Sequence, residues 1–351
     1  MKDAAAFPEF DKHAHIETIR SGTGETIGFV AFHRQNGTVP SFGATRLWHY
    51  ASSDDALRDA LRLSRIMSYK AALAGLPCGG AKATIIDTSG SEDARRALVD
   101  EYAKGIAALS GTFVTGTDVG LRQEDLSLMR AQGAPVVGFS GNSTPCSVLG
   151  IYQGIICALR DRLNDDDIEG KTFAIQGLGK IGMSLLEKLY DDAAGLYVSD
   201  VDESKIADAM RRFPKVVPVA AEDIHRQPVD VFAPCALGSV ITMDNVPDMR
   251  CAIIAGGAND VLGSPEAGDM LFERDILYAP DYIINAGGLI AVYDEYEHAD
   301  RDDDRVNEKV TMIQDRLGDI FAESRLQRRP TNRIAQEHAE GIFGAYGPVS
   351  V

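Results

Sequence analysis

Two periods of apolar and polar residues run along this chain. TIGFVAFHR (26–34) alternates closely enough to predict a strand. A helix is predicted to start after Ser52 or Ser53, because a serine oxygen accepts a backbone N–H at the cap and Asp54 and Asp55 suit the positive end of the helix dipole. Leu57, Ala60, Leu61, Ser64, Met67 and Ala71 then follow helical spacing, with Lys70 near the far end. The stretch GLPCGGAKATIID (75–87) comes next: small residues, one lysine, then the strand-forming run ATII. Small residues let backbone or ligand approach closely. Lys82 therefore reads either as a charge reaching out to water or as an amine held in a cleft. It lies twelve residues from Lys70, across one loop.

The second half changes texture. Residues 171–212 read as strand, glycine turn, helix, strand, helix. DVFAPCALG (230–238), CAIIAGGAND (251–260) and ILYAPDYIINAGGLIAV (276–292) are each a short apolar run closed by small residues. Such alternation predicts a parallel sheet with helices on both faces, where ligands sit beyond the carboxyl ends of the strands. A break near 138–147 and a helical return from about 304 give the expected domains: 1–140, joined by a C-terminal helix from about 325 to 351, and 141–324. The fold class expected is α/β, in two domains.

Composition narrows the function. A chain of 351 residues suits two domains of ordinary size, and 45% hydrophobic with 25% charged residues is a globular balance. The net charge of −17 disfavours nucleic acid and anionic membranes as partners. RDRLNDDDIEG (160–170) and HADRDDDR (298–305) read as solvated faces. No apolar run approaches the roughly 18 residues of a membrane span, and the N-terminus lacks the apolar core of a secretory signal. Five cysteines (78, 146, 157, 235 and 251) are scattered without a C-x-x-C pair, which predicts reduced thiols in a cytoplasm. The histidines are dispersed too, and no metal is expected.

Gly177-Leu178-Gly179-Lys180-Ile181-Gly182 fits G-x-G-x-x-G. It follows the strand FAIQ and opens the amphipathic stretch GMSLLEKLY, and Asp200 ends the next strand 23 residues after the first glycine. This is a dinucleotide context: glycines for the turn and close approach, a helix N-terminus for pyrophosphate, an acid for ribose hydroxyls. An acid at Asp200 repels a 2′-phosphate, which favours NAD over NADP. Candidates for a second site are Lys70, Lys82 and Asp118 of TGTDVG (115–120). Asp118 reads either as a substrate-facing carboxylate or as a cap for the helix LRQEDLSLM. Two lysines and an aspartate suit an amino acid: a cation for its carboxylate, an amine for acid–base work, an acid for the amine proton.

In motif order, FGATRLW, MSYKAALAGLPCGGAK, TGTDVG, QGLGKIG, FAPCALG, IIAGGAND and YAPDYIINAGGLI resemble the glutamate/leucine/phenylalanine/valine dehydrogenase family, and most closely its branch for small apolar amino acids. The resemblance implies an N-terminal substrate and oligomerisation domain, a Rossmann-type NAD domain, a cleft between them that closes over the substrate, and a homo-oligomer. It implies that Lys70 holds the substrate carboxylate, that Lys82 activates the water that attacks the imine, and that Asp118 exchanges protons with the amino nitrogen. Gly43 would lie in the loop approaching the substrate. Ser147, after STPC and in place of the usual threonine, would contact the nicotinamide, and Asn285 of INAGG would fix its amide. Ala236 of FAPCALG joins Gly177, Gly179, Lys180, Ile181, Gly182 and Asp200 among the cofactor contacts. Phe42, Gly116, Leu289 and Val292 would line the side-chain pocket; none carries a charge, so glutamate is expected to be a poor substrate and branched or aromatic side chains good ones.

Two positions depart from the family pattern. Ala81 replaces the third glycine before the lysine, where a methyl would be penalised at positive φ. Asp260 of GGAND replaces an asparagine. These departures keep open a catalytically weak or inactive NAD-binding paralogue that acts as a partner or regulatory subunit. A 2-hydroxyacid dehydrogenase is the other alternative, although no histidine–arginine pair stands out for it.

Overall fold

The computed structural model describes residues 4–141, 143–236, 238–298, 300 and 302–344. Its contacts divide the chain into two compact units, one of residues 1–141, 292–301 and 339–351, the other of residues 142–291 and 302–338.

In the first unit, β1 (His15–Arg20), β2 (Thr26–Arg34), β3 (Ser41–Phe42), β4 (Thr45–Trp48), β5 (Gly80–Ile86) and β6 (Phe113–Val114) form a mixed sheet in the order β1-β2-β5-β3-β6, with β4 also pairing β5. The helix α1 (Ser53–Leu73) covers one face, and α2 (Glu92–Ala108) with α3 (Gln123–Ala131) the other. Alternation along β2 sorts the two cores: Phe29 and Ala31 pack with Leu57, Ala60 and Leu61 of α1, while Val30 and Phe32 pack with Val99, Tyr102 and Leu126. Ser52 caps α1 as expected, its Oγ accepting from the Asp55 N–H at 3.2 Å.

In the second unit, α4 (Ser143–Leu163) is followed by β7 (Thr172–Gln176), α5 (Lys180–Leu189), β8 (Gly195–Ser199), α6 (Glu203–Arg212), β9 (Val217–Pro218), β10 (Val231–Pro234), β11 (Ile253–Ile254), α7 (Pro265–Glu273), β12 (Leu277–Tyr278) and α8 (Asp281–Ile284). The sheet is parallel throughout, in the order β12-β11-β10-β7-β8-β9. Counted from β7, this is the doubly wound 3-2-1-4-5-6 arrangement, whose strand order reverses between β7 and β10.

Three helices complete the described residues. Helix α9 (Gly287–Glu297) begins in the second unit and ends in the first, α10 (Asp303–Gln327) lies wholly in the second, and α11 (Thr331–Gly344) again passes from second to first. The return expected at about residue 325 falls inside α10, and residues 302–338 cluster with the second unit. The cause is packing. The buried stripe Val306, Val310, Ile313 and Leu317 lies along α4, where Gly150 and Gly154 have no side chain to hold it off. Among the described residues, no helix is long and apolar enough to cross a membrane.

Candidate active site

Lys82 lies inside β5, not on a loop before it. Opposed residues of an antiparallel pair share a face, and Lys82 stands opposite Ala31, so it projects on the α1 side, as does Thr84, whose Oγ1 donates to the Ala56 carbonyl of α1. Ala81, Ala83 and Ile85 point into the opposite core. The small residues before Lys82 have a packing cause. A Cβ on Gly80 would overlap the backbone of Met67 and Ser68 in α1, and one on Gly43 would overlap the Ala81 carbonyl. They bring β5 close to α1 and to the break between β3 and β4. Cys78, in the same run, is fully buried, and burial pushes its thiol up to about 12, so it remains a protonated apolar filler.

Lys82 is only 6% exposed and forms an ion pair with Oδ2 of Asp118. Asp118 does not cap α3; the N–H of Arg122 there is taken by Asp125 at 2.6 Å. Its own Oδ1 accepts from the Val119 N–H at 2.7 Å, and Arg46 Nε donates to Oδ2 at 3.3 Å. Burial opposes the charge on Asp118, but Lys82 and Arg46 beside it win and hold its carboxyl well below the usual carboxylate range. Lys70 is buried in the last turn of α1, the helix against which Gly80 brings β5.

The pocket candidates divide between the units: Phe42, Gly116 and Val292 in the first, Leu289 in the second. Phe42 is 1% exposed, its ring 5.1 Å from those of both Tyr293 and Tyr296. Gly116 is buried with open space beside it: an added Cβ would meet only Val137, at 3.4 Å from its carbonyl oxygen.

The second unit assembles the dinucleotide elements. Gly177 follows β7 with φ +95°, and a Cβ there would lie 2.7–2.8 Å from the N, Cα and Cβ of Ala236, beyond β10. The turn and Ala236 thus meet where the strand order reverses. A Cβ on Gly182 would overlap the Gly177 carbonyl, whereas Gly179, which caps α5, faces open space. Lys180 and Ile181 form the first turn of α5, whose N–H groups have no acceptor within the helix. Ile181 also packs over Gly257. Asp200, directly after β8, accepts from the Leu178 N–H at 2.7 Å and the Asp202 N–H at 2.9 Å, and Lys205 stands 3.6 Å away.

Ser147 sits one turn inside α4, its hydroxyl donating to the Ser143 carbonyl at 2.8 Å and facing Gly288. Asn285 donates through Nδ2 to the carbonyl of Ala258 and to Oδ1 of Asn259, both at 3.0 Å, and its own Oδ1 is buried without a partner. These two oxygens and the Gly257 carbonyl, 3.4 Å from Nδ2, fix the orientation of this amide. The orphaned acceptor, the open face at Gly179 and the acid at Asp200 fit a nicotinamide dinucleotide.

Two family models match: "Glu/Leu/Phe/Val dehydrogenase, dimerisation domain" over residues 14–134 and "Glutamate/Leucine/Phenylalanine/Valine dehydrogenase" over residues 198–328. A leucine dehydrogenase of Geobacillus stearothermophilus is 36% identical over 88% of this chain and 86% of its own. The chain belongs to the Glu/Leu/Phe/Val dehydrogenase family. An L-tryptophan dehydrogenase of Nostoc punctiforme is 40% identical over 93% of this chain and 92% of its own. A crystal structure of L-tryptophan dehydrogenase from that organism superposes with a TM-score of 0.78, covering 95% of this chain and 96% of the other at 36% identity.

Both departures from the family pattern are accommodated by the fold. Ala81 is a strand residue with ordinary φ, and its methyl fills the core shared with Phe32 and Phe113. Asp260 has φ +55°, a left-handed conformation that aspartate and asparagine tolerate alike, and its carbonyl accepts from the Ser239 N–H at 2.5 Å. Arg46, Asp59 and Tyr50 behind Asp118, and Tyr293 and Tyr296 over Phe42, are functional neighbours that no motif in the sequence marks. Arg46 stood within FGATRLW, but only the parallel pairing of β4 with β5 turns it toward α1.

Proposed function

We propose that this chain is an NAD-dependent amino-acid dehydrogenase that oxidatively deaminates apolar L-amino acids. Amino acid, NAD and water give 2-oxo acid, ammonium, NADH and a proton, and the reaction reverses in the presence of ammonia. The observation that carries the reading is the pairing of buried Lys82 with half-buried Asp118 in one unit of a chain whose other unit holds the glycine turn, Asp200 and the orphaned Asn285 oxygen.

The cofactor, when bound, accepts hydride from the substrate α-carbon. Gly177, Gly179 and Gly182 shape the turn for its pyrophosphate, Asp200 takes the ribose hydroxyls, and Asn285 Oδ1 accepts from the carboxamide. The Asp200 carboxylate favours NAD over its 2′-phosphorylated form. Lys70 pairs with the substrate carboxylate, and Lys82 activates the water that adds to the imine left after hydride loss. Asp118 exchanges protons with the leaving nitrogen. Phe42, Gly116, Leu289 and Val292 offer no charge to a glutamate side chain, whose unpaired burial costs several kcal/mol, of order 2–7 for an ordinary polar group and more for a charge. The relatives named as leucine and tryptophan dehydrogenases agree with a branched or aromatic substrate. The match to a dimerisation-domain model supports self-association, and five cysteines that form no disulfide suit a reducing cytoplasm.

The test is NADH formation by the purified protein with leucine, valine, phenylalanine, tryptophan and glutamate, run in both directions. The expected result is turnover of apolar amino acids and an ammonia-dependent reverse reaction. Ammonia-independent reduction of 2-oxo acids would reassign the protein to 2-hydroxyacid chemistry, and cofactor binding without turnover of any substrate would make it an inactive relative.

A further inference from the structure

We propose that Arg46 is a positioning residue for this reaction, a cation that holds the Asp118 carboxylate in the orientation in which it meets Lys82, and that Asp59 and Tyr50 in turn hold Arg46. The proposal rests on the roles assigned above to Lys82 and Asp118. Arg46 Nε donates to Asp118 Oδ2 at 3.3 Å, while its NH1 donates to Asp59 Oδ2 at 2.9 Å. The Tyr50 hydroxyl donates to the same Asp59 oxygen at 2.9 Å, and Arg62 donates to Asp59 Oδ1 at 2.7 Å. Charges therefore alternate from Lys82 through Asp118, Arg46 and Asp59 to Arg62, and the chain of contacts joins β5, the segment after β6, β4 and α1.

The side chains of Arg46 and Asp59 are only 15% and 14% exposed, so this is not a loose surface pair. Burial works against the charge on Arg46, but Asp118 and Asp59 on either side hold it still more firmly protonated. The planar fork of arginine spans two carboxylates at a fixed separation, which a lysine cannot do. A guanidinium also keeps its charge in every state of the site. When Lys82 works as a base it surrenders the charge that faces Asp118, whereas Arg46 keeps its own. The charged and titratable groups acting on Asp118 in the structure are Lys82 and Arg46 directly, with Asp59, Arg62 and Tyr50 behind Arg46.

The full-length protein is compared with Arg46→Met, Arg46→Lys and the double variant Arg46→Met/Asp59→Asn. The double variant also removes the Asp59 carboxylate, which in Arg46→Met keeps Arg62 and Tyr50 as its partners, and thermal midpoints of all three variants check that the fold is kept. Loss of this orientation lowers kcat by about 100-fold in the Met and double variants. The acid limb of the kcat profile moves up by about 1 pH unit or more, the size of one neighbouring cation. NAD binding stays native, and Arg46→Lys restores the acid limb with only part of kcat. Carboxyl titration of Asp118 by NMR reads the same displacement without turnover, so it decides the proposal even if the native protein oxidises no amino acid. A double variant with native kcat and a native Asp118 titration would reduce Arg46 to a structural link between β4 and α1.

Discussion

Replacing Gly116 by alanine separates the fold from the pocket. The structure predicts that the fold accepts the change: Gly116 has no positive φ, and its new Cβ would lie 3.4 Å from the Val137 carbonyl oxygen and 3.9 Å from Val137 Cγ2, ordinary contact distances. Its carbonyl keeps the 3.0 Å hydrogen bond from the Thr45 N–H, which needs no side chain. With no native strain, the main stability effect is a stiffer unfolded chain, worth about 0.4–1 kcal/mol in favour of the variant. The functional effect should be larger. One methyl in an apolar pocket changes discrimination between substrates by about 1–3 kcal/mol, or about 10- to 200-fold. The expected outcome is that kcat/KM for phenylalanine and tryptophan falls at least about tenfold relative to leucine and valine, while the thermal midpoint holds or rises. Gly43→Ala is the contrasting control, because its Cβ would overlap the Ala81 carbonyl and the protein should lose stability. A folded Gly116→Ala protein with an unchanged aromatic-to-aliphatic ratio would remove Gly116 from the pocket.

Other outcomes follow from the same geometry. Lys82→Ala should lower kcat by about 10²–10⁴-fold while NAD binding is retained; near-native turnover would exclude Lys82 from the chemistry. Asp200→Ser combined with Val201→Arg should raise the use of NADP, since Val201 is 93% exposed and an arginine there costs the fold little; a native protein that already prefers NADP would refute the ribose assignment. His13 should make the protein acid-sensitive. Burial lowers its imidazole from 6.5 to about 4, with His33 adding to the shift and Asp11 and the Leu61 carbonyl opposing it. The folded value lies below the unfolded one, so the stabilisation is complete above pH 6.5 and is lost as pH falls toward 4, by about 3 kcal/mol. Denaturant midpoints for the native protein and His13→Gln across that window should differ in slope; parallel curves would contradict it.

Elements governed by local rules were legible in the sequence. The Ser52 cap and the period of α1, the alternation of β2, and the strand–turn–helix–strand run ending at Asp200 all appear at the expected residues. The path of the chain after residue 300 was not. Acid runs and a helical period say that a helix forms, but what holds α10 to the second unit is a pair of glycines in α4, more than 150 positions earlier in the chain. The short strands β9, β11 and β12, two residues each, present too little pattern for their limits to be read from sequence.

The site shows the same division, and the case of small residues explains it. A glycine before a lysine looks like room for a substrate, and alanine in its place looks like a threat to activity. In a strand, however, the meaning of a small residue depends on the face it occupies. Gly80 faces α1 and must be small because a helix backbone lies there; Ala81, one residue on, faces the opposite core and its methyl is welcome. That assignment needs the register of β5 against β2, which no spacing within GLPCGGAK contains. Arg46 escaped notice for the same reason. Positions 46, 59, 82 and 118 share no local period, and only the pairing of β4 with β5 beneath α1 converts them into one chain of alternating charge. Motifs therefore located the groups proposed to meet the substrate, while the groups that orient them follow from how the strands pair.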